Sequence, residues 1–135
     1  MEPRQIHPVD VPYVWHEVKP LVDKVLDRAD GEMISSDYIE PLLSGECTLW
    51  IGLDDDEIKS ALICEVMVYP RKKALHIHVW ATKSGQDFAP WMEYWDDIED
   101  FGRSNGCTMI EAKARKGLAK KLNWNDKYSF VTKHI

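Results

Sequence analysis

Glu65 is the one carboxylic acid residue within the apolar run ALICEVMVY, residues 61–69. Such a run is typical of a buried strand, and burial would raise the pKa of this carboxyl group toward the range that a general base needs. The simpler interpretation is that Glu65 forms a structural pair with a lysine or a tyrosine across the sheet, since such pairs also perturb pKa values. Glu65 is therefore the candidate catalytic residue, with a structural pair as the alternative.

His76 and His78 lie two residues apart in the strand-like run ALHIHVWAT, so they should share one face. Two such histidines could bind a metal ion, but a zinc site needs at least three protein ligands. No third ligand is spaced with them, and we expect no metal site. The three cysteines are far apart in apolar segments, which indicates reduced structural thiols.

The turn TKSGQDF, residues 82–88, joins that strand to a helical pattern, and it could hold a phosphate group. Backbone N–H groups at a glycine-bearing turn can approach a phosphate, and the following helix adds its dipole. The candidate cofactor-binding residues are Lys83, Ser84, Gly85 and Gln86. Against this interpretation, the turn has a single glycine, Asp87 would repel a diphosphate, and Phe88 adds bulk. Asp87 is also suited to capping the helix.

The helices predicted around these residues follow the 3.6-residue period. A first helix should enter at Asp10 and stop at Gly31, with a bend or a split at Pro20. A second, short helix should end at Gly45. A third is predicted from Phe88 to Gly106, and the segment KGLAKKL predicts a fourth.

The strands predicted between these helices are segments in which apolar and polar residues alternate, or short continuous apolar runs. Three of them, CTLWIGL, IKSALICEVMVY and ALHIHVWAT, are joined by polar turns as an antiparallel meander. CTMIEAKA should be the fourth strand and KYSFVTKHI the last. The order ααβββαβαβ predicts one α+β domain over residues 1–135, a central mixed sheet with helices on both faces. The helical crossover should make the third and fourth of these strands parallel.

Charge and hydropathy limit the partners. The chain has a net charge of −6, yet seven of its 17 Lys and Arg residues lie in residues 113–135 against one acidic residue, Asp126. Such a basic end can mark a site for a phosphate or an acidic protein partner, or simply a solvated face that pairs with the acidic segment DDIED. The overall negative charge disfavours nucleic acid. With no apolar run of about 20 residues and a polar N-terminus, we expect a soluble cytoplasmic protein with no membrane contact.

The order of elements resembles the GNAT (Gcn5-related N-acetyltransferase) fold over essentially the whole chain. The resemblance is carried by the segments KPLVDKVLDRADGEM, SGECTLWIGLDDDEI, EVMVYPRKKALHIHV and FGRSNGCTMIEAKARKGLAKKL. The closer likeness is to small GNAT-like proteins of tailed phages and prophages, some of which are counted among virion proteins. Most members of that group have no assigned activity.

The resemblance implies where acyl-transfer chemistry would lie. In active GNAT enzymes the turn after the third meander strand carries Arg/Gln-x-x-Gly-x-Gly/Ala and holds the pyrophosphate of acyl-CoA. A carboxylate on the central strands often acts as base, and a tyrosine in the penultimate helix acts as acid. The turn TKSGQDF keeps one glycine of that pattern, and KGLAKKLNW has no tyrosine, because Tyr128 lies later.

The likeness to phage proteins implies a phage or prophage protein of GNAT fold that acts in the virion or as an accessory protein through a protein partner. The departures in the turn and the penultimate helix predict that it has no acetyltransferase activity and no cofactor. The alternative is an acyl-CoA-dependent N-acetyltransferase, with Glu65 as base and the turn at residues 83–88 holding acetyl-CoA. A third interpretation is a toxin-neutralising or host-factor-binding module that uses the basic end. Three tryptophans lie around this turn: Trp80, Trp91 and Trp95. The simplest interpretation is that their rings pack in the core. Alternatively, the rings fill the cleft where the pantetheine arm of the cofactor would lie, or form a patch that docks a protein.

Overall fold

The computed structural model describes residues 2–83, 95–114 and 118–135. The strands are β1 (Glu2–Ile6), β2 (Cys47–Asp54), β3 (Glu57–Val68), β4 (Lys73–Thr82) and β5 (Met109–Ala112). The helices are α1 (Val11–Leu26), α2 (Ile39–Ser44), α3 (Trp95–Ser104) and α4 (Leu118–Leu122). Short 3-10 turns at Pro8–Asp10 and Ser35–Tyr38 precede α1 and α2.

The five strands form one mixed sheet in the order β1-β2-β3-β4-β5. All neighbouring pairs are antiparallel except β4 and β5, which are parallel. The predicted α+β class, the mixed sheet of five strands and the parallel pair across the helical crossover are confirmed. Among the described residues, no helix is long and apolar enough to cross a membrane.

The fifth strand is not the one that the sequence predicted. The C-terminal segment 127–135 forms no strand, and its apolar residues Tyr128, Phe130 and Val131 are exposed, so their alternation does not reflect a buried face. Residues 2–6 supply the fifth strand by pairing with β2 at the sheet edge. Only Ile6 of this strand is buried, which explains why no hydrophobic pattern revealed it.

Two apolar cores lie on opposite faces of the sheet, which confirms that helices cover both sides. On one face α1 and α2 pack against buried residues of the three central strands, among them Leu49, Ile63 and Val79. On the other face Ile98 of α3 packs with a second set of buried strand residues, which includes Trp50, Leu62, Cys64, Leu75 and Ile77. Neighbouring positions such as Leu62 and Ile63 thus face opposite cores, as the alternation of a strand requires.

The first helix continues through Pro20, so of the predicted bend or split the split after Lys19 does not occur, while the bend stays a prediction. Proline in a helix interior costs about 3 kcal/mol, because it removes a donor and clashes with the preceding turn. Val18, Leu21 and Val22 around it are buried against the sheet. Each buried aliphatic side chain contributes about 1.5–3 kcal/mol, so the packing of this face outweighs the cost of the proline.

Replacing glycine by alanine should have opposite effects on the free energy of unfolding at two positions, Gly45 and Gly102. Gly45 ends α2 with a φ of 85° and has open space around it, whereas Gly102 lies within α3, where an added Cβ would meet Leu75 at an ordinary 3.5 Å. We expect Gly45→Ala to lower the free energy of unfolding by about 1 kcal/mol, since alanine is strained in the left-handed region. Gly102→Ala should raise it by about 0.5–1 kcal/mol through helix propensity. Urea denaturation of both variants checks this, and equal changes would contradict it.

Candidate functional site

Glu65 and His78 form a hydrogen-bonded pair on the face of the sheet that α1 and α2 cover. His78 Nε2 lies 2.8 Å from Glu65 Oε1, and the two side chains are 25% and 21% exposed, so the pair is reachable from solvent. Because an ionised carboxylate can only accept, we assign the ring proton to Nε2, which leaves Nδ1 as the basic nitrogen. The cross-sheet partner of Glu65 is thus a histidine, and not the lysine or tyrosine expected.

A β-bulge brings His78 to this position. Ile63 pairs with Val79 and Cys64 pairs with Ile77, which leaves His78 as the extra residue of β4. A bulge redirects a side chain and is common beside active sites. The sequence contains no signal for it, since one extra residue in an apolar strand does not disturb the hydrophobic pattern.

Cys47 of β2 completes this group from the other side. It pairs with Glu65 in the β2–β3 register, and its Sγ lies 3.9 Å from Glu65 Oε1. Burial, and then the adjacent Glu65 charge, raise the pKa of the Cys47 thiol to about 12. A thiol with so high a pKa is a poor nucleophile at neutral pH, and Cys47, Cys64 and Cys107 are all free and buried.

A second carboxylate–histidine pair lies next to the first. His76 Nδ1 is 3.2 Å from Glu111 Oε2, and the hydroxyl group of Tyr69 donates to both oxygens of Glu111 at 2.8 and 2.9 Å. This hydrogen bond to a carboxylate raises the pKa of Tyr69. The His76 and His78 rings are 4.7 Å apart, so the two pairs form one polar patch on the sheet. Sequence reasoning did not identify Glu111, which only the parallel β4–β5 register brings beside His76.

The strands β4 and β5 separate next to His78. Their register covers four residue pairs and ends where Ile77 faces Ala112. β4 then continues to Thr82, while β5 stops at Ala112. Within residues 2–83, 95–114 and 118–135, no strand pairs with the β5 side of β4 beyond Ile77. Such an edge offers backbone N–H and C=O groups to an extended chain that carries amides.

Three indole rings line the opposite face of the sheet near this edge. Trp80 and Trp95 stack with centroids 4.9 Å apart, and Trp124 lies 5.5 Å from Trp95. Trp95 is buried, and the other two pack against the same core. These three rings therefore contribute to core packing, whereas Trp91 lies outside the described residues.

The predicted cofactor turn is described only at Lys83. Its backbone N–H donates to the Lys59 carbonyl group at 2.8 Å, and its ammonium group binds Glu57. Glu57 also accepts from Lys59 at 3.0 Å, and hydrogen bonds from Lys83 and then Lys59 lower the pKa of Glu57 to about 2. Ser84, Gly85, Gln86, Asp87 and Phe88 lie outside the described residues. The phosphate cradle and the Asp87 helix cap therefore stay predictions.

The basic cluster near the C-terminus is described in part. The ammonium group of Lys113 lies 4.0 Å from the centre of the Phe130 ring, a cation–π contact. Lys120 is exposed on α4, while Arg115 and Lys116 lie outside the described residues. A protein partner for this cluster stays a prediction.

Solved structures share this fold over nearly the whole chain. An aminoglycoside acetyltransferase from an uncultured soil metagenomic sample, in complex with sisomicin, superposes with a TM-score of 0.75 at 14% identity, covering 99% of this chain and 95% of that one. A predicted acetyltransferase with acetyl-CoA from Clostridium acetobutylicum gives 0.70 at 13% identity, with coverages of 98% and 95%. A ribosomal-protein-alanine N-acetyltransferase from Brucella melitensis biovar Abortus gives 0.70 at 12% identity and covers 100% of both chains.

These similarities establish that the chain has the GNAT fold. Sequence comparison alone finds no matching family model and no matching curated protein. The expectation that the protein uses no cofactor is wrong, since it rested on the sequence of one turn. The neighbour with acetyl-CoA shares the fold over 98% of this chain. The neighbours give no support to a phage or virion association.

Proposed function

We propose that this chain is an acyl-CoA-dependent N-acyltransferase, with acetyl-CoA as donor and an amine as acceptor. The observation that carries the proposal is the position of the Glu65–His78 pair, since His78 follows the last paired residue of β4, where β4 and β5 separate. A basic group is thereby held beside a strand edge that could take an extended amide chain. The acetyltransferases among the structural neighbours support the same reaction class.

The residues at this edge fit acetyl-CoA. Its pantetheine arm is an extended chain with two amide groups, which can hydrogen-bond to the β4 backbone between His78 and Thr82. Lys59 and Lys83 bind the carboxylate of Glu57 near the end of β4, beside the acidic turn of residues 54–56. The ammonium groups of these two lysines are the cations that a diphosphate would contact there. When bound, acetyl-CoA supplies an acyl carbon that is activated as a thioester.

His78 performs the proton transfer in this proposal. An amine in neutral water is mostly protonated and becomes nucleophilic only when a base takes its proton. The Nδ1 atom of His78 receives that proton, while Nε2 keeps its hydrogen bond to Glu65. Glu65 fixes the ring orientation, and its negative charge stabilises the imidazolium that forms. The candidate base from the sequence thus acts through a histidine that the sequence did not connect with it.

The departing thiolate needs less help than the amine. Thiols have a pKa of about 8.5, so a thiolate can leave and take its proton from water. Helix α4, Leu118–Leu122, has no tyrosine, and Tyr128 is exposed in the C-terminal segment. Without a tyrosine in this helix the thiolate lacks a protein acid, but it can still be protonated by water, so acyl transfer stays feasible.

An assay of coenzyme A thiol release tests this function. The protein is incubated with acetyl-CoA and one of three amines: an aminoglycoside, a peptide with N-terminal alanine, or a polyamine. We expect release that depends on the amine in the wild-type protein and in the control variant His134→Gln, since His134 is an exposed residue of the C-terminal segment. His78→Gln should slow it by about 10²–10⁴-fold. Equal release by wild type and His78→Gln, or no release with any amine, would contradict the proposal.

An association of this protein with phages or virions stays a prediction.

A further inference from the structure

Three metal-ligating side chains converge on one point of the sheet, each from a different strand. Cys47 lies on β2, Glu65 on β3 and His78 on β4, and one ligand atom of each lies within 4.8 Å of the other two. Their spacing in the sequence gave no sign of this, because the β2–β3 register and the bulge at His78 bring them together. The sequence-based expectation of no metal site considered only ligands near the two histidines.

The distances suit a tetrahedral metal ion after small shifts. Zinc bonds of about 2.0–2.3 Å place nitrogen and oxygen ligands about 3.4 Å apart, and sulfur and oxygen ligands about 3.6 Å apart. Here His78 Nε2 and Glu65 Oε1 are 2.8 Å apart, and Cys47 Sγ and Glu65 Oε1 are 3.9 Å apart. The nitrogen–oxygen pair would open by about half an ångström and the sulfur–oxygen pair would close by a few tenths. The third pair, the Cys47 sulfur and the His78 nitrogen, lies within 4.8 Å and would close to about 3.6 Å.

Charge and ligand type favour a particular class of cation. A thiolate and a carboxylate together carry two negative charges, which neutralise a divalent ion in this half-buried position. Thiolate and imidazole ligands prefer zinc and its neighbours to magnesium or calcium, which take oxygen ligands. Edge contacts with the rings of Tyr38 and His76 hold the imidazole of His78 in place.

We propose that Cys47, Glu65 and His78 bind one divalent cation of the zinc class, with the fourth coordination position open. On binding, the Cys47 thiol releases its proton to water, and the neutral imidazole of His78 moves its proton from Nε2 to Nδ1. The cation then replaces the Glu65–His78 hydrogen bond. If the proposed function holds, the bound ion inhibits acyl transfer, because His78 Nδ1 then carries a proton and cannot accept one from the amine.

Titration of the full-length protein with Co²⁺ tests the site without any activity assay. A thiolate bound to Co²⁺ gives a charge-transfer band in the near ultraviolet, and tetrahedral geometry gives intense visible bands. We expect both at one equivalent of Co²⁺ in the wild-type protein and their displacement by Zn²⁺. Cys47→Ser should lose the thiolate band, and His78→Gln should weaken Co²⁺ binding by tenfold or more. Cys107→Ser is the matched control, since Cys107 is a buried thiol in the other core, and it should keep the full spectrum.

The outcomes separate this inference from the proposed function. Absence of the thiolate band in wild type at millimolar Co²⁺, its persistence in Cys47→Ser, or its loss in Cys107→Ser would overturn the metal site. Should Cys47→Ser fail to fold, as judged by circular dichroism, unchanged Co²⁺ affinity in His78→Gln would overturn it equally. A protein that binds Co²⁺ through Cys47 but transfers no acetyl group would retain the site and lose only the inhibitory role.

Discussion

Replacing His78 by glutamine should lower kcat for acetyl transfer by about 10²–10⁴-fold, the range that a positioned general base contributes. The KM for acetyl-CoA should change little, because the proton is transferred only in the reaction and not on binding. The side chain is a quarter exposed, so the substitution should leave the fold intact. Steady-state kinetics with the best amine of the panel measure both constants.

The variant Glu65→Gln tests whether Glu65 assists His78 through its negative charge or only by holding the imidazole ring in place. Glutamine can still accept the Nε2 hydrogen bond, but it no longer supplies the charge-assisted part, which is worth about 1–2 kcal/mol or about 5–30-fold in rate. Glu111→Gln is the matched control, since it alters the neighbouring carboxylate–histidine pair through His76. It should change kcat by less than about threefold, within the effect of an ordinary surface substitution. Equal losses in Glu65→Gln and Glu111→Gln would show that the polar patch is merely structural.

Leu62→Ala should lower the free energy of unfolding by about 2–5 kcal/mol. Leu62 is fully buried at the centre of β3, and its removal leaves a cavity between the sheet and α3. Leu43→Ala is the same chemical change at a position 47% exposed on α2, and it should cost less than about 1 kcal/mol. Denaturation with urea, monitored by tryptophan fluorescence, compares the two variants.

A smaller loss for Leu62→Ala than for Leu43→Ala would contradict the burial of Leu62 in the core between the sheet and α3.

Sequence reasoning identified most of this fold because its strongest signals are periodic. The apolar runs of β2, β3 and β4 and the helical crossover to β5 suffice for a mixed sheet with helices on both faces. The prediction of the fifth strand was wrong, because hydrophobic periodicity does not match burial in these two terminal segments. Residues 2–6 pair at an edge with one buried side chain, whereas the alternating C-terminal segment stays exposed.

The candidate site could be predicted only in part. An ionisable residue in an apolar strand marked Glu65, but its partner depends on one bulge residue, and Cys47 depends on the exact register with β2. Such contacts join residues that are up to 31 positions apart, so no local spacing reveals them. The absence of the glycine pattern after β4 suggested a protein without a cofactor. The strand edge that would bind the pantetheine arm depends instead on where β5 stops pairing with β4.

Isothermal titration of the protein with acetyl-CoA tests the central claim most directly. We expect a one-to-one complex with a dissociation constant between about 1 µM and about 1 mM, the usual range for enzyme substrates. Glu65→Gln should bind equally well, because its carboxylate takes part in proton transfer and not in holding the donor. Absence of binding at millimolar acetyl-CoA, in a protein shown to be folded, would contradict the account.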